Sequence, residues 1–98
     1  MHRHTVLFNF KDEVSEAERA RVVEALRGLK SIGVVKGMML HKNKLPAGPT
    51  APYEWLLIAD FANDDDRQTY EKDPLHVKVI RGDFVPNVKN YIIADVNF

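Results

Sequence analysis

Three features of the chain predict an α+β fold built on one antiparallel sheet. Residues 2–10 alternate with period two, residues 15–30 carry a capped helical pattern, and residues 53–61 and 89–97 read as strands that are apolar on both faces. With a further strand at 34–43 and a broken helix after Asn63, the order becomes β-α-β-β-α-β. That order places the helices on one face of the sheet and leaves the other open.

The first strand sends His2, His4, Val6, Phe8 and Phe10 to one face and Arg3, Thr5, Leu7 and Asn9 to the other. Ser15 followed by Glu18 is a capping-box signal, and Val22, Leu26 and Leu29 then recur at helical spacing. Residues 34–43, VVKGMMLHKN, have strand character interrupted by Gly37, a position for a bulge or a close backbone approach. LPAGPTAP at 45–52 holds three of the five prolines and sustains no regular structure.

The third strand puts Tyr53, Trp55, Leu57, Ala59 and Phe61 on one face and Leu56 and Ile58 on the other. Asn63 is placed to cap a helix whose first turn holds Asp64, Asp65 and Asp66, where the positive helix end favours acidic groups. Pro74 breaks that helix and restarts it, since proline is tolerated in a first turn, and the second piece runs toward Phe84 until Pro86 stops it. In the last strand Tyr91 and Ile93 face one way, and Ile92, Ala94 and Val96 the other.

Ninety-eight residues with 45% hydrophobic and 29% charged side chains suit a single domain over residues 1–98. Fourteen basic residues balance fourteen acidic ones, so nothing concentrates the chain on nucleic acid. With no cysteine there is no disulfide framework and no thiolate nucleophile, and a cytoplasmic setting is expected. No run approaches the length needed to cross a bilayer, so no membrane partner is expected.

The open face is the main constraint on assembly. Each medium or large aliphatic side chain gains roughly 1.5–3 kcal/mol on burial, so Leu7, Leu56, Ile58, Ile92 and Val96 together favour covering that face with another sheet. A second copy of the chain is the simplest cover, and twofold dimers are the commonest homo-oligomers.

Three segments carry a resemblance to a known family. HTVLFNFKDEVSEAE at residues 4–18, YEKDPLHVKV at 70–79 and NYIIADVNF at 90–98 follow in the order and spacing of the stress-responsive dimeric A/B barrel (Dabb) family, which the chain resembles along nearly its whole length. The resemblance implies a ferredoxin-like subunit and a homodimer whose two sheets pack into a barrel. Its members include stress-induced plant proteins, bacterial proteins of unknown role and polyketide cyclases, so it does not by itself assign an activity.

In the cyclases, the residues matching Tyr70 and His76 face an apolar cavity between helices and sheet. The resemblance implies that His76 takes a proton beside a ketone while the Tyr70 hydroxyl orients the substrate, and that His4 lies in the same cavity. This suits an imidazole that titrates near neutrality and a phenol that donates to developing negative charge. Phe8, Trp55 and Leu57 are the expected apolar lining. The cyclase pattern has a histidine in the third strand where this chain has Trp55, which shrinks the polar inventory of the cavity.

Each candidate also has a plain structural account. His76 can hydrogen-bond within the helix pair, Tyr70 can be an aromatic core residue, and His4 a satisfied buried histidine. His2 and His4 form an HxH pair on one strand face, but two ligands are too few for a metal, and His41 and Asp95 join them only if folding brings them close. No metal and no cofactor are expected. The function classes that follow are a dimer binding a small apolar or carbonyl-containing molecule, a cofactor-independent enzyme of polyketide cyclase or small monooxygenase type, and a structural oligomer without a ligand.

Overall fold

The computed structural model describes residues 1–98. Strands β1 (His2–Phe10), β2 (Gly37–Lys42), β3 (Trp55–Phe61) and β4 (Val88–Asn97) form one antiparallel sheet in the order β2-β3-β1-β4. Between β1 and β2 lies helix α1 (Glu16–Arg27), prolonged by a 3₁₀ turn at Gly28–Ser31. Between β3 and β4 lie α2 (Asp64–Lys72), α3 (Pro74–Val79), a wide π-type turn at Ile80–Phe84 and the short α4 (Val85–Asn87). This is the ferredoxin-like α+β arrangement read from the sequence.

Each helix start follows its local chemistry. The Ser15 hydroxyl accepts the Glu18 N–H at 3.1 Å, and the Asn63 side chain accepts the Asp66 N–H at 2.9 Å. Only half of the expected capping box forms, because the Glu18 carboxylate pairs with Arg21 instead of reaching back to Ser15. Asp73 is extended, the conformation that a following proline favours, and its carboxylate accepts the Leu75 N–H at 2.8 Å to start α3.

Several boundaries differ from the sequence expectation. The second strand begins at Gly37 rather than 34, and the third at Trp55 rather than 53. Gly37 marks neither a bulge nor a close approach, since a Cβ there would meet nothing within 4 Å. The sheet's register shift falls instead between Asn9 and Phe10, where β1 pairs with β4. Pro86 does not stop the helix either. It lacks an N–H and its ring would crowd the carbonyl four residues back, so the coil widens, with Val85 N–H reaching the Ile80 carbonyl, and turns once more as α4.

The core lies between the helices and one sheet face. Phe8, Leu57, Ala59 and Phe61 from the sheet meet Val22, Val23, Leu26, Leu29, Tyr70 and Phe84 from the helical layer. The opposite face carries in-register rows: Leu56, Leu7 and Ile92 in one, Ile58, Thr5 and Ala94 in the next, and Asp60, Arg3 and Val96 in a third. Leu7, Leu56 and Ile58 are half-buried, while Ile92 and Val96 are exposed. No helix is long and apolar enough to cross a membrane.

Truncating the core should cost far more than removing a cap. Phe61→Ala removes a fully buried ring packed on Tyr70 at a centroid distance of 5.0 Å, and should destabilise by about 3–5 kcal/mol. Ser15→Ala should cost about 1 kcal/mol. Urea unfolding of both variants checks the contrast.

Candidate functional site

A cavity of about 140 Å³ opens between the helical layer and the sheet. Val6, Phe8, Leu57 and Ile93 form its floor, Leu26 and Leu29 one wall, and Ile80, Phe84 and Val85 another. Tyr91 and Ile93 of β4 line it too, yet are 52% and 56% exposed, so the cavity meets solvent beside this edge strand. The side chains with polar groups around it are His4, Tyr70, Glu71, His76 and Tyr91.

The helix break brings Tyr70 and His76 together. In an unbroken helix, residues six apart lie about 240° apart around the axis and point away from each other. The turn at Asp73 and Pro74 cancels that rotation and sets the His76 ring against Tyr70, tilted by 57° with centroids 4.5 Å apart. His76 Nδ1 lies 3.1 Å from the Glu71 carbonyl, which can only accept, so Nδ1 carries the proton and Nε2 is bare in the neutral ring. Burial holds the His76 imidazole below its ordinary value, although the Glu71 carbonyl and carboxylate oppose the shift. Burial also pushes the Tyr70 phenol well above its usual range, so it is a neutral hydrogen-bond donor.

His4 is held in the same way. It lies opposite Asp95 in the β1–β4 register, and its Nδ1 donates to Asp95 Oδ1 at 2.8 Å. The residue is 6% exposed, and its ring lines the cavity and has no protein partner for Nε2. For Asp95 itself, burial raises the carboxyl, but the hydrogen bonds from His2 and His4 outweigh it and hold the group below its ordinary value. Two imidazoles whose Nε2 atoms have no protein partner thus share a mostly apolar space with the buried, neutral Tyr70 phenol, and the half-exposed Tyr91 stands at its edge. Such a set can orient a carbonyl and take a proton from a neighbouring carbon.

His4, Tyr70 and His76 therefore converge on one cavity, with Phe8 and Leu57 among its lining. Trp55 does not line it, contrary to expectation. Although Trp55 pairs with Phe8 across the strands, its ring is stacked against Phe8 and set edge-on to Phe10, beyond the cavity floor, with the Lys42 ammonium over it at 5.8 Å. Asp95 is the residue whose role the sequence reading missed, having entered only as a conditional metal ligand. Its signal was a lone acid in an apolar strand. His41 stays on the far edge strand, opposite Leu56, away from the HxH pair.

A ferredoxin-like subunit with an apolar, histidine-bearing cavity between sheet and helices defines a class of small α+β barrel proteins. Within it, the chain belongs to the stress responsive A/B barrel domain family, whose model matches residues 3–98. A Dabb family protein of ferredoxin-like fold from Mesorhizobium loti is 26% identical with a TM-score of 0.86, the match covering 99% of this chain and 95% of that one. A dimeric ferredoxin-like protein of unknown function from Thermobifida fusca is 21% identical with a TM-score of 0.85, over 99% and 90% of the two chains. A hydroxynitrile lyase from Passiflora edulis shares the fold at 15% identity and a TM-score of 0.86, over 97% and 90%. No curated protein matches the chain.

The depressed His76 value has a consequence for stability. The unfolded chain binds a proton near pH 6.5 that the folded chain resists, so the contribution of neutral His76 is complete above about pH 6.5. It is lost as pH falls from there toward the folded-state value. Urea midpoints measured across this window should fall with pH in the parent chain, and less steeply in His76→Gln.

Proposed function

We propose that the protein is a homodimer whose subunits each bind a small apolar, carbonyl-containing molecule in the cavity between sheet and helices. The observation that carries this reading is an apolar space of about 140 Å³ lined by a neutral Tyr70 donor and two histidines. A dry apolar cavity of ~150 Å³ accommodates benzene, so a ligand of one ring with a polar substituent suits the volume. The Tyr70 phenol supplies a donor that distinguishes a ketone from a hydrocarbon.

Acetophenone is a suitable probe. It should bind the parent chain in a calorimetric or NMR titration and perturb residues around Tyr70 and His76. Tyr70→Phe keeps the ring and removes the donor, and should weaken binding by about 5- to 10-fold, the worth of one neutral hydrogen bond. Undiminished affinity would show that the Tyr70 hydroxyl is not the carbonyl's donor, and no binding to the parent chain would refute the ligand reading.

A second reading, favoured by the two histidine Nε2 atoms without a protein partner, is a cofactor-independent enzyme that moves a proton next to the bound carbonyl. The hydroxynitrile lyase among the fold relatives supports the idea that this scaffold can carry catalysis. Exchange of the acetophenone methyl hydrogens in heavy water, catalysed by the parent chain and abolished in His76→Gln, would support this reading. Uncatalysed exchange despite binding would leave the binding function alone.

The dimer is supported by the apolar side chains of the open face, Leu7, Leu56, Ile58, Ile92 and Val96, and by relatives described as dimeric. Leu7 sits at the centre of its row, between Leu56 and Ile92. Sedimentation should give twice the mass of one chain, and Leu7→Asp should shift the protein to monomers, because a buried unpaired carboxylate is costly. A monomeric parent chain would overturn the proposal.

A further inference from the structure

We propose that His2 is a positioning residue of the cavity: held on the far side of the Asp95 carboxylate, it fixes that carboxylate against His4 and so keeps His4 Nε2 bare toward a ligand. The proposal deepens the reading above and rests on His4 being a working group of the cavity.

His2 and His4 are two residues apart on β1 and project from the same face. Asp95 lies between their rings. His2 Nε2 is 2.8 Å from Asp95 Oδ2, and His4 Nδ1 is 2.8 Å from Asp95 Oδ1, so each oxygen is committed to one imidazole. A carboxylate can only accept, which places a proton on both of these nitrogens. Asp95 stands on an edge strand with its side chain 26% accessible, and a single hydrogen bond would leave it free to rotate toward water. The second imidazole removes that freedom and with it the route by which His4 could change tautomer.

His2 occupies its place at a cost that packing alone does not require. The residue is 6% exposed, and its Nδ1 is buried with no partner, 3.8 Å from Asp64 Oδ1. An apolar side chain would occupy this position without an orphaned nitrogen, and the β1–β4 backbone ladder already joins the strands. The charged groups facing the pair are Asp64 and Arg67 of α2, the latter with Nε 3.7 Å from Asp95 Oδ2. Arg67 is itself bound to Asp64 and Glu71, so it does not replace His2 as the partner of Asp95.

The test is ¹⁵N NMR of the histidine rings in the full chain without ligand. In the parent protein, with neutral rings, His4 should carry its proton on Nδ1 alone and His2 on Nε2. His2→Phe should turn His4 into comparable amounts of both tautomers, and His2→Gln, whose amide still donates to Asp95, should restore one. A single unchanged His4 tautomer in a folded His2→Phe protein would overturn the proposal. Should that variant fail to fold, the parent chain decides, because a His2 proton found on Nδ1 and not Nε2 equally overturns it. Acetophenone binding with the His4 tautomer unaltered in His2→Phe would sink this inference alone. Failure of acetophenone to bind, with the tautomer lost in His2→Phe, would sink only the ligand reading.

Discussion

The pairing of β1 between β3 and β4 is the constraint on which the rest of the structure depends. Side chains alternate along a strand, so a register slip of one residue would exchange its two faces. In the observed register, His4, Val6 and Phe8 stand opposite Ala59, Leu57 and Trp55 on one side and Asp95, Ile93 and Tyr91 on the other. The cavity floor, the His4–Asp95 bond and the row of Leu56, Leu7 and Ile92 on the open face all follow from that alignment.

The helical layer adds a second condition. Val22, Leu26 and Leu29 seal one part of the sheet, but the segment from Asp64 to Asn87 is too interrupted to lie flat over it. Its break at Asp73 turns His76 back onto Tyr70, and its widened turn at Ile80–Phe84 leaves space above β4. Irregular helix geometry therefore makes the room that a regular helix would have filled, as wide turns often do at functional positions.

The site's electrostatics come from neutral donors and acceptors more than from charge. Burial keeps Tyr70 protonated and His76 unprotonated, and the Glu71 carbonyl and Asp95 carboxylate each tie one histidine Nδ1. In a mostly apolar space such directed groups act with little screening from water. The result is a cavity whose polar atoms discriminate by position.

Much of this was legible in the chain. Strand periodicity, the Ser15 and Asn63 caps and the Asp73-Pro74 break are local features, and local chemistry specifies them without reference to the rest of the fold. The convergence of His4, Tyr70 and His76 followed from the family resemblance together with the alternation of β1. Tertiary structure alone decided the partner of His4, because Asp95 is 91 residues away and only the β1–β4 register sets it between two imidazoles. It also decided that Trp55, on the expected face, packs behind Phe8 and outside the cavity. Sequence patterning assigns a side chain to a face, whereas its depth along that face depends on which neighbours reach it first.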